Sequence, residues 1–220
     1  MADIITREEI KKALEIRHTK EGQAKLTNSK VAIMGLGGLG SNIAIACARM
    51  GIGEMLLVDF DVVDITNIFR QNYRLEHIGR YKTECIKEEI SEINPYLKVN
   101  TINTRITRKN VLEILGDYKI ICEAFDKGET KSEIIDEILS KSEDKIIISG
   151  NGMAGIKSVN LIRTRQFGDR LYICGDLENG IEIEGTLMSP RVSACAMHQA
   201  NVVANLILSD GKVDYNFKKV

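Results

Sequence analysis

No two of the five cysteines, Cys47, Cys85, Cys122, Cys174 and Cys195, form a C-x-x-C pair, and their number is odd. That spacing argues against a zinc ribbon and against a disulfide framework, and leaves small core residues in a reducing compartment. An excess of basic residues is missing too: 30 Lys and Arg face 31 Asp and Glu, for a formal net charge of −1. A nucleic-acid binder normally carries a basic excess or patch, so this balance gives it no support, although a local basic site remains compatible. No apolar run approaches the length that spans a bilayer, and the opening M-A-D-I-I-T-R-E-E-I has no signal-peptide core. A cytoplasmic chain with no membrane partner is the expectation. Internal repeats and low-complexity linkers are also absent.

Instead, apolar and amphipathic segments alternate with little filler. The charged stretch 7–25 carries Ile10 and Leu14 at helical spacing and predicts one N-terminal helix. K-V-A-I-M-G at 30–35 and E-M-L-L-V-D at 54–59 read as buried strands around a helix of small residues, 41–50. A helix at 81–93 is stopped by Asn94-Pro95, and strands near 97–103, 118–125 and 145–149 alternate with helices at 107–115 and 130–142. After Gly150 the character changes: S-V-N-L-I-R-T-R and R-L-Y-I-C-G predict two more strands, followed by a glycine-bearing loop and a helix from Val192 to Leu208. The whole, 1–220, reads as one α/β domain. Its parts are an N-terminal helix region (about 1–28), a core (about 29–150) and an extension with the final helix (about 151–220). The sheet is expected to be mainly parallel, with an antiparallel addition at its end.

Gly35, Gly37 and Gly40 spell G-x-G-x-x-G directly after a strand and at the opening of a helix. Glycines permit a tight turn and close backbone approach, and free N–H groups at a helix start attract an anion. Asp59 ends the next strand, where an acid can take ribose hydroxyls. A nucleotide is therefore expected, but these residues serve a dinucleotide or ATP equally well.

The next stretch, D-F-D-V-V-D-I-T-N-I-F-R-Q-N-Y-R-L-E-H-I-G-R-Y-K, is long for a connection in a compact domain, and loops of that length are often functional. With G-L-G-G-L-G-S before it and I-N-P and E-A-F-D after it, the chain resembles the ThiF/MoeB family of adenylyltransferases related to ubiquitin-activating enzymes. L-E-I-R-H upstream, and S-G-N-G-M-A-G-I and S-P-R-V-S-A-C-A-M-H-Q-A-N downstream, look most like a short ThiF subgroup, so the likeness runs from about Arg17 to Leu208. It implies a Rossmann-like three-layer fold with a short antiparallel C-terminal extension. It also implies ATP and Mg²⁺ as cofactors, and as partner a small ubiquitin-fold sulfur-carrier protein ending in Gly-Gly, of ThiS type in thiamine thiazole formation. In that family the carrier's carboxylate attacks the α-phosphate of ATP, pyrophosphate leaves and an acyl-adenylate remains. A homodimer is likewise implied.

Carried over residue by residue, the resemblance places Gly38 and its neighbours against the phosphates and Asp59 at the ribose. Asn67, Arg70 and Gln71 form the T-N-I-F-R-Q element, with Arg70 offered to the triphosphate. Lys82 matches a phosphate-contacting lysine, and Asp126 the carboxylate that holds Mg²⁺. Arg17 matches an arginine that reaches into the partner subunit's site, though in a charged helix a solvated face reads equally well. Arg74 and Arg80 read as surface, and Asp61 and Asp64 as loop-turn residues. The charges fit the reaction: an anion must approach a polyanion, and fixed cations offset that repulsion.

The chain also departs from the family. It lacks the paired C-x-x-C motifs of larger relatives, so no structural zinc is expected, and G-D-L-E-N-G-I-E-I-E-G-T-L-M-S lacks a loop cysteine for a covalent carrier step. Lys127 stands where many relatives have Asn. Cys195 and His198 share a helix face, as a nucleophile and base would, but a packed helix explains them as well. The competing functions are adenylation of a molybdopterin-type carrier or of a modified tRNA base, an NAD-dependent oxidoreductase, and a non-catalytic nucleotide-binding protein.

Overall fold

The computed structural model describes residues 5–211; residues 1–4 and 212–220, the outer ends of the expected N-terminal and C-terminal regions, lie outside that range. The N-terminal segment forms two helices rather than one, α1 (Arg7–His18) and α2 (Lys20–Thr27). A reciprocal capping box between Thr6 and Glu9 starts α1. Thr19 then takes φ 64°, which no helix interior allows, and its side chain accepts the Gly22 N–H to start α2. The charged composition is the same on both sides of Thr19, so it does not mark the break.

Strand and helix then alternate: β1 (Lys30–Met34), α3 (Gly38–Met50), β2 (Glu54–Asp59), α4 (Lys82–Ile93), β3 (Lys98–Asn103), α5 (Val111–Leu115), β4 (Ile120–Glu123), α6 (Gly128–Lys141) and β5 (Ile146–Gly150). After them come β6 (Arg163–Phe167), β7 (Leu171–Gly175), the short α7 (Ile181–Glu184) and α8 (Ser189–Leu208). Among the described residues seven strands make one sheet in the order β3-β2-β1-β4-β5-β7-β6. Every neighbouring pair is parallel except β6 with β7. The sheet is Rossmann-like, and the later strand of the extension, β7, is the one inserted beside β5.

Burial on both faces explains the unbroken apolar strands. Val31 and Ile33 of β1 join α3, α4 and α8 on one side, through Ile43, Cys47, Ile86, Ile90 and Val203. Ala32 and Met34 join α5 and α6 on the other, through Val111, Leu115, Ile134 and Ile138. Three layers result.

The segment 158–165, read as a strand, opens instead with a 3-10 turn, Val159–Leu161, because the Ser158 hydroxyl accepts the Asn160 N–H; only then does β6 begin. Helix α8 starts at Ser189, before the expected Val192, since Pro190 in the first turn lacks only a donor that would be unpaired there anyway. Helix α1 buries none of its residues. Its contacts lie at the N-terminal ends of the strands: Leu14 abuts Gly51, and Tyr96 Oη donates to the Ile5 carbonyl at 2.9 Å. A cavity of about 460 Å³ lies beneath it, lined in part by Ile10, Leu14, Gly53 and Tyr96.

Candidate active site

The carboxyl ends of β1, β2 and β4 are level, with Met34 paired to Val58 on one side and to Glu123 on the other. Gly35 N–H donates to the Val58 carbonyl at 2.8 Å and Ala124 N–H to that of Met34 at 2.9 Å, so the glycine turn leaves the sheet between these two strands. Gly35 takes φ +87°, and a Cβ there would stand 2.9 Å from the Ala124 carbonyl oxygen. A Cβ on Gly40 would overlap the Gly35 carbonyl oxygen, so Gly40 closes the turn. Gly38 is required by packing, because its Cβ would come 2.8 Å from Val192 Cγ1 of α8. Only Gly37 of the four faces open space, with nothing within 4 Å of a built Cβ. It is also the N-cap of α3 with no side-chain cap, which leaves the first-turn amides open to an anion.

Asp59 braces this turn. Its Oδ2 accepts Leu36 N–H at 2.5 Å and its Oδ1 accepts Asp61 N–H at 2.8 Å. A carboxylate has about four lone-pair positions, so both oxygens can still accept from a ribose.

The 60–81 segment folds back over the same edge through contacts that no local pattern announces. Tyr73 Oη donates to the Leu36 carbonyl at 2.7 Å, and Asn72 N–H to Ser41 Oγ at 3.1 Å. Asn42 Nδ2 reaches both the Gly38 and the Arg70 carbonyls, at 2.6 and 3.3 Å. Arg70 therefore flanks the start of α3: its Cγ would lie 3.9 Å from a Cβ at Gly38. Its half-exposed guanidinium donates to the Thr66 carbonyl at 2.6 Å. Asn67 is buried and its Oδ1 accepts Asp64 N–H at 3.0 Å, which shapes the turn that presents Arg70. Gln71 is also buried, and its Oε1 has no hydrogen-bond partner.

Lys82 opens α4 with its side chain 8% exposed and its Nζ 3.1 Å from Asp61 Oδ2. Asp61 is therefore the anchor of Lys82, more than the turn residue its sequence context suggests; the pairing crosses the whole loop and has no local signature. Asp64 does act as a turn residue, its carboxylate accepting Thr66 N–H. Arg74 and Arg80 are exposed in part, as expected of surface residues, yet they pin the loop to α4 through Glu89 and Glu88. His77 is buried beneath them: its Nδ1 accepts Arg74 N–H at 3.2 Å within the loop, and its Nε2 lies 3.6 and 3.7 Å from Glu88 and Glu89, beyond hydrogen-bonding distance.

Asp126 is exposed, in the turn that follows β4, two residues beyond the Ala124 whose carbonyl abuts Gly35. Arg17 is also exposed, but on α1, whose contacts lie at the opposite edge of the sheet. The structure thus brings the elements bearing Arg70, Lys82 and Asp126 around the glycine turn and leaves Arg17 apart.

These residues fit a nucleoside triphosphate with one metal ion. Open space over Gly37, uncapped amides and the unpartnered Gln71 oxygen suit phosphates and their hydroxyl neighbours. Mg²⁺ commonly takes one or two carboxylates and completes its shell with phosphates and water, a demand that an exposed Asp126 meets.

The sequence profile of the ThiF family matches residues 12–215. The chain belongs to the ThiF family. Among relatives, Debaryomyces hansenii adenylyltransferase and sulfurtransferase UBA4 is 37% identical over 132 residues, 60% of this chain and 29% of that protein. Haemophilus influenzae tRNA threonylcarbamoyladenosine dehydratase is 35% identical over 137 residues, 61% of this chain and 52% of that protein. The chain thus spans about half or less of the length of these curated relatives. A crystal structure of the E. coli tRNA N6-threonylcarbamoyladenosine dehydratase in complex with AMP superposes with TM-score 0.83 at 18% identity, covering 95% of this chain and 99% of that one. At that identity the likeness is one of fold.

In this ThiF-family chain Cys195 is no nucleophile. It is fully buried, its Sγ donates to the Cys174 carbonyl, and burial pushes its thiol far up, away from the thiolate form. His198 turns to Thr164 Oγ1 at 3.0 Å, and burial lowers its affinity for a proton. Both residues belong to the packing of α8 on the sheet.

The turn itself predicts a mutational contrast. Gly40→Ala forces the Gly35 carbonyl aside and is expected to cost about 1–3 kcal/mol of stability along with ATP binding. Gly37→Ala, with room for its methyl, is expected to fold normally and to weaken only nucleotide binding. Urea denaturation and equilibrium ATP titration check both; a Gly40→Ala protein with unchanged stability and affinity contradicts the assignment.

Proposed function

We propose that this chain is an ATP-dependent adenylyltransferase acting on the C-terminal carboxylate of a small ubiquitin-fold carrier protein ending in Gly-Gly. The observation that carries this reading is the convergence of Arg70 beside Gly38, Lys82 held by Asp61, and the Asp126 turn against Gly35, on one edge of the sheet. A hydride-transfer enzyme would use the glycines and Asp59 but would have no use for that set. The carrier's carboxylate oxygen attacks the α-phosphorus, the bond to the bridging oxygen breaks, and pyrophosphate leaves with the electron pair. The nucleophile is ionised at neutral pH, so no general base is needed. Arg70 and Lys82 draw the phosphates onto the uncapped amides of α3 and offset the charge that grows on the leaving group. Asp126 would hold Mg²⁺, which would supply further charge neutralisation.

The fit of short-form ThiF motifs to both ends of the chain further suggests a sulfur carrier of thiamine thiazole formation, and a homodimer in which Arg17 serves the partner's site. An arm that buries none of its own residues and leaves Ile16 78% exposed supports that second idea. A tRNA base is the second reading, favoured by the curated dehydratase relative; the near-neutral charge of this chain weighs against it. Exchange of labelled pyrophosphate into ATP tests them side by side. Exchange that requires a Gly-Gly-ended carrier is expected. Exchange supported by tRNA alone selects the second reading, and absence of exchange with every such carrier of the host removes the first.

A further inference from the structure

Asp126 sits between two charged residues that the proposed chemistry leaves unused, Glu123 and Lys131. Glu123 is fully buried at the end of β4, and the Lys131 side chain, in the first turn of α6, is 15% exposed. The two oxygens of this one carboxylate have divided tasks. Oε1 accepts Phe125 N–H at 2.7 Å, where the chain turns off the sheet toward Asp126. Oε2 accepts Lys131 Nζ at 2.7 Å, where the chain has passed Asp126 and begun α6, and also Ser149 Oγ of the neighbouring β5 at 2.6 Å. Lys131 Nζ also donates to the Gly150 carbonyl at 2.9 Å, at the start of the segment that leads into the extension.

A buried ion pair is a poor way to gain stability, because desolvation offsets much of its attraction and well-packed apolar residues often serve as well. An apolar pair could join β4 to α6. It could not fasten both ends of a turn through one group while leaving the acid between them exposed. We infer that Glu123 and Lys131 are positioning residues for Asp126, and that Lys131 ties the metal-holding turn to the extension through Gly150. The inference rests on the adenylyltransferase reading for the role of Asp126, and its test is separable from that reading.

The full chain is compared with its Lys131→Met, Lys131→Arg and Glu123→Gln/Lys131→Met forms. Metal-free ATP affinity is measured by calorimetry, Mn²⁺ affinity of the ATP-loaded protein by electron paramagnetic resonance, and stability by thermal melting. Lys131→Met is expected to keep metal-free ATP affinity and to bind Mn²⁺ about 10–100-fold more weakly, the usual range for groups that orient a metal ligand. Lys131→Arg should restore much of that loss. The double variant buries no orphaned carboxylate, so it reports even if Lys131→Met fails to fold, and it should show the same metal defect. Undiminished Mn²⁺ affinity in a folded variant overturns the inference. So does a parallel fall of ATP affinity and melting temperature with no metal-specific component, which marks a structural pair only. A parent protein that does not bind ATP refutes the underlying function instead.

Discussion

Arg70→Ala is expected to slow carrier-dependent pyrophosphate exchange by about 10²–10³-fold, the cost of removing one fixed donor from a developing anion. Two unit charges 4 Å apart interact by about 4 kcal/mol at the effective dielectric of a site near a protein surface, so one lost cation accounts for that range. The fold should survive. Arg70 is half-exposed, and its guanidinium holds only the Thr66 carbonyl of its own loop among the hydrogen bonds described above, while its placement beside Gly38 comes from the backbone contact with Asn42. Arg70→Lys should fall between the two, because a lysine keeps the charge and loses the planar fork. Melting curves of the three proteins should coincide while their exchange rates separate. Full exchange in the alanine form would remove Arg70 from the triphosphate and, with it, much of the reason to see an adenylyltransferase here.

Arg191→Met is expected to be the most destabilising single change in the extension, by about 3–5 kcal/mol, because it strips one partner from a buried pair. Arg191 is 2% exposed at the start of α8. It donates to the Lys157 and Ser158 carbonyls, each at 2.8 Å, and pairs with the buried Asp176 after β7. One side chain thus holds the 150–158 segment, the end of β7 and α8 together. Burial by itself would raise the Asp176 pKa, but hydrogen bonds from Asn179, from the backbone N–H groups of Asn179 and Glu178, and from Arg191 outweigh it and leave the group below its ordinary 3.8. A depressed carboxyl contributes stability that is present above the unfolded value and lost as pH falls through the folded one. Urea denaturation at neutral pH should therefore give the full difference between parent and Arg191→Met, and that difference should shrink on acidification below about pH 4. A neutral-pH loss under about 1 kcal/mol, typical of an exposed pair, would mean that the clamp does not hold the extension.

The strands and helices of the core were readable because their signals are local. An apolar run of four or five residues ending in glycine, or an apolar stripe recurring each helical turn, reflects burial that the element meets wherever it packs. The turn at Gly35, Gly37 and Gly40 was readable for the same reason, since its demands on backbone and Cβ are made within a few residues. Where a side chain answered a local pattern differently the reading slipped: Thr19 breaks the expected helix, and Ser158 replaces strand with a 3-10 turn. Gly38 was legible as a glycine, but its close approach to Val192 of α8, far along the chain, was not.

By itself, then, the amino-acid order determined the alternation of elements, the glycine turn after β1 and the residue types around it. Which acid anchors Lys82, that a buried Glu123 and Lys131 flank Asp126, that Arg191 clamps the extension, and that β7 slips between β5 and β6 were decided only in three dimensions. The reason is physical. Periodicity and turn chemistry act between neighbours in sequence, whereas the partner of a buried charge is whichever group the closed sheet brings within hydrogen-bonding reach once water has left.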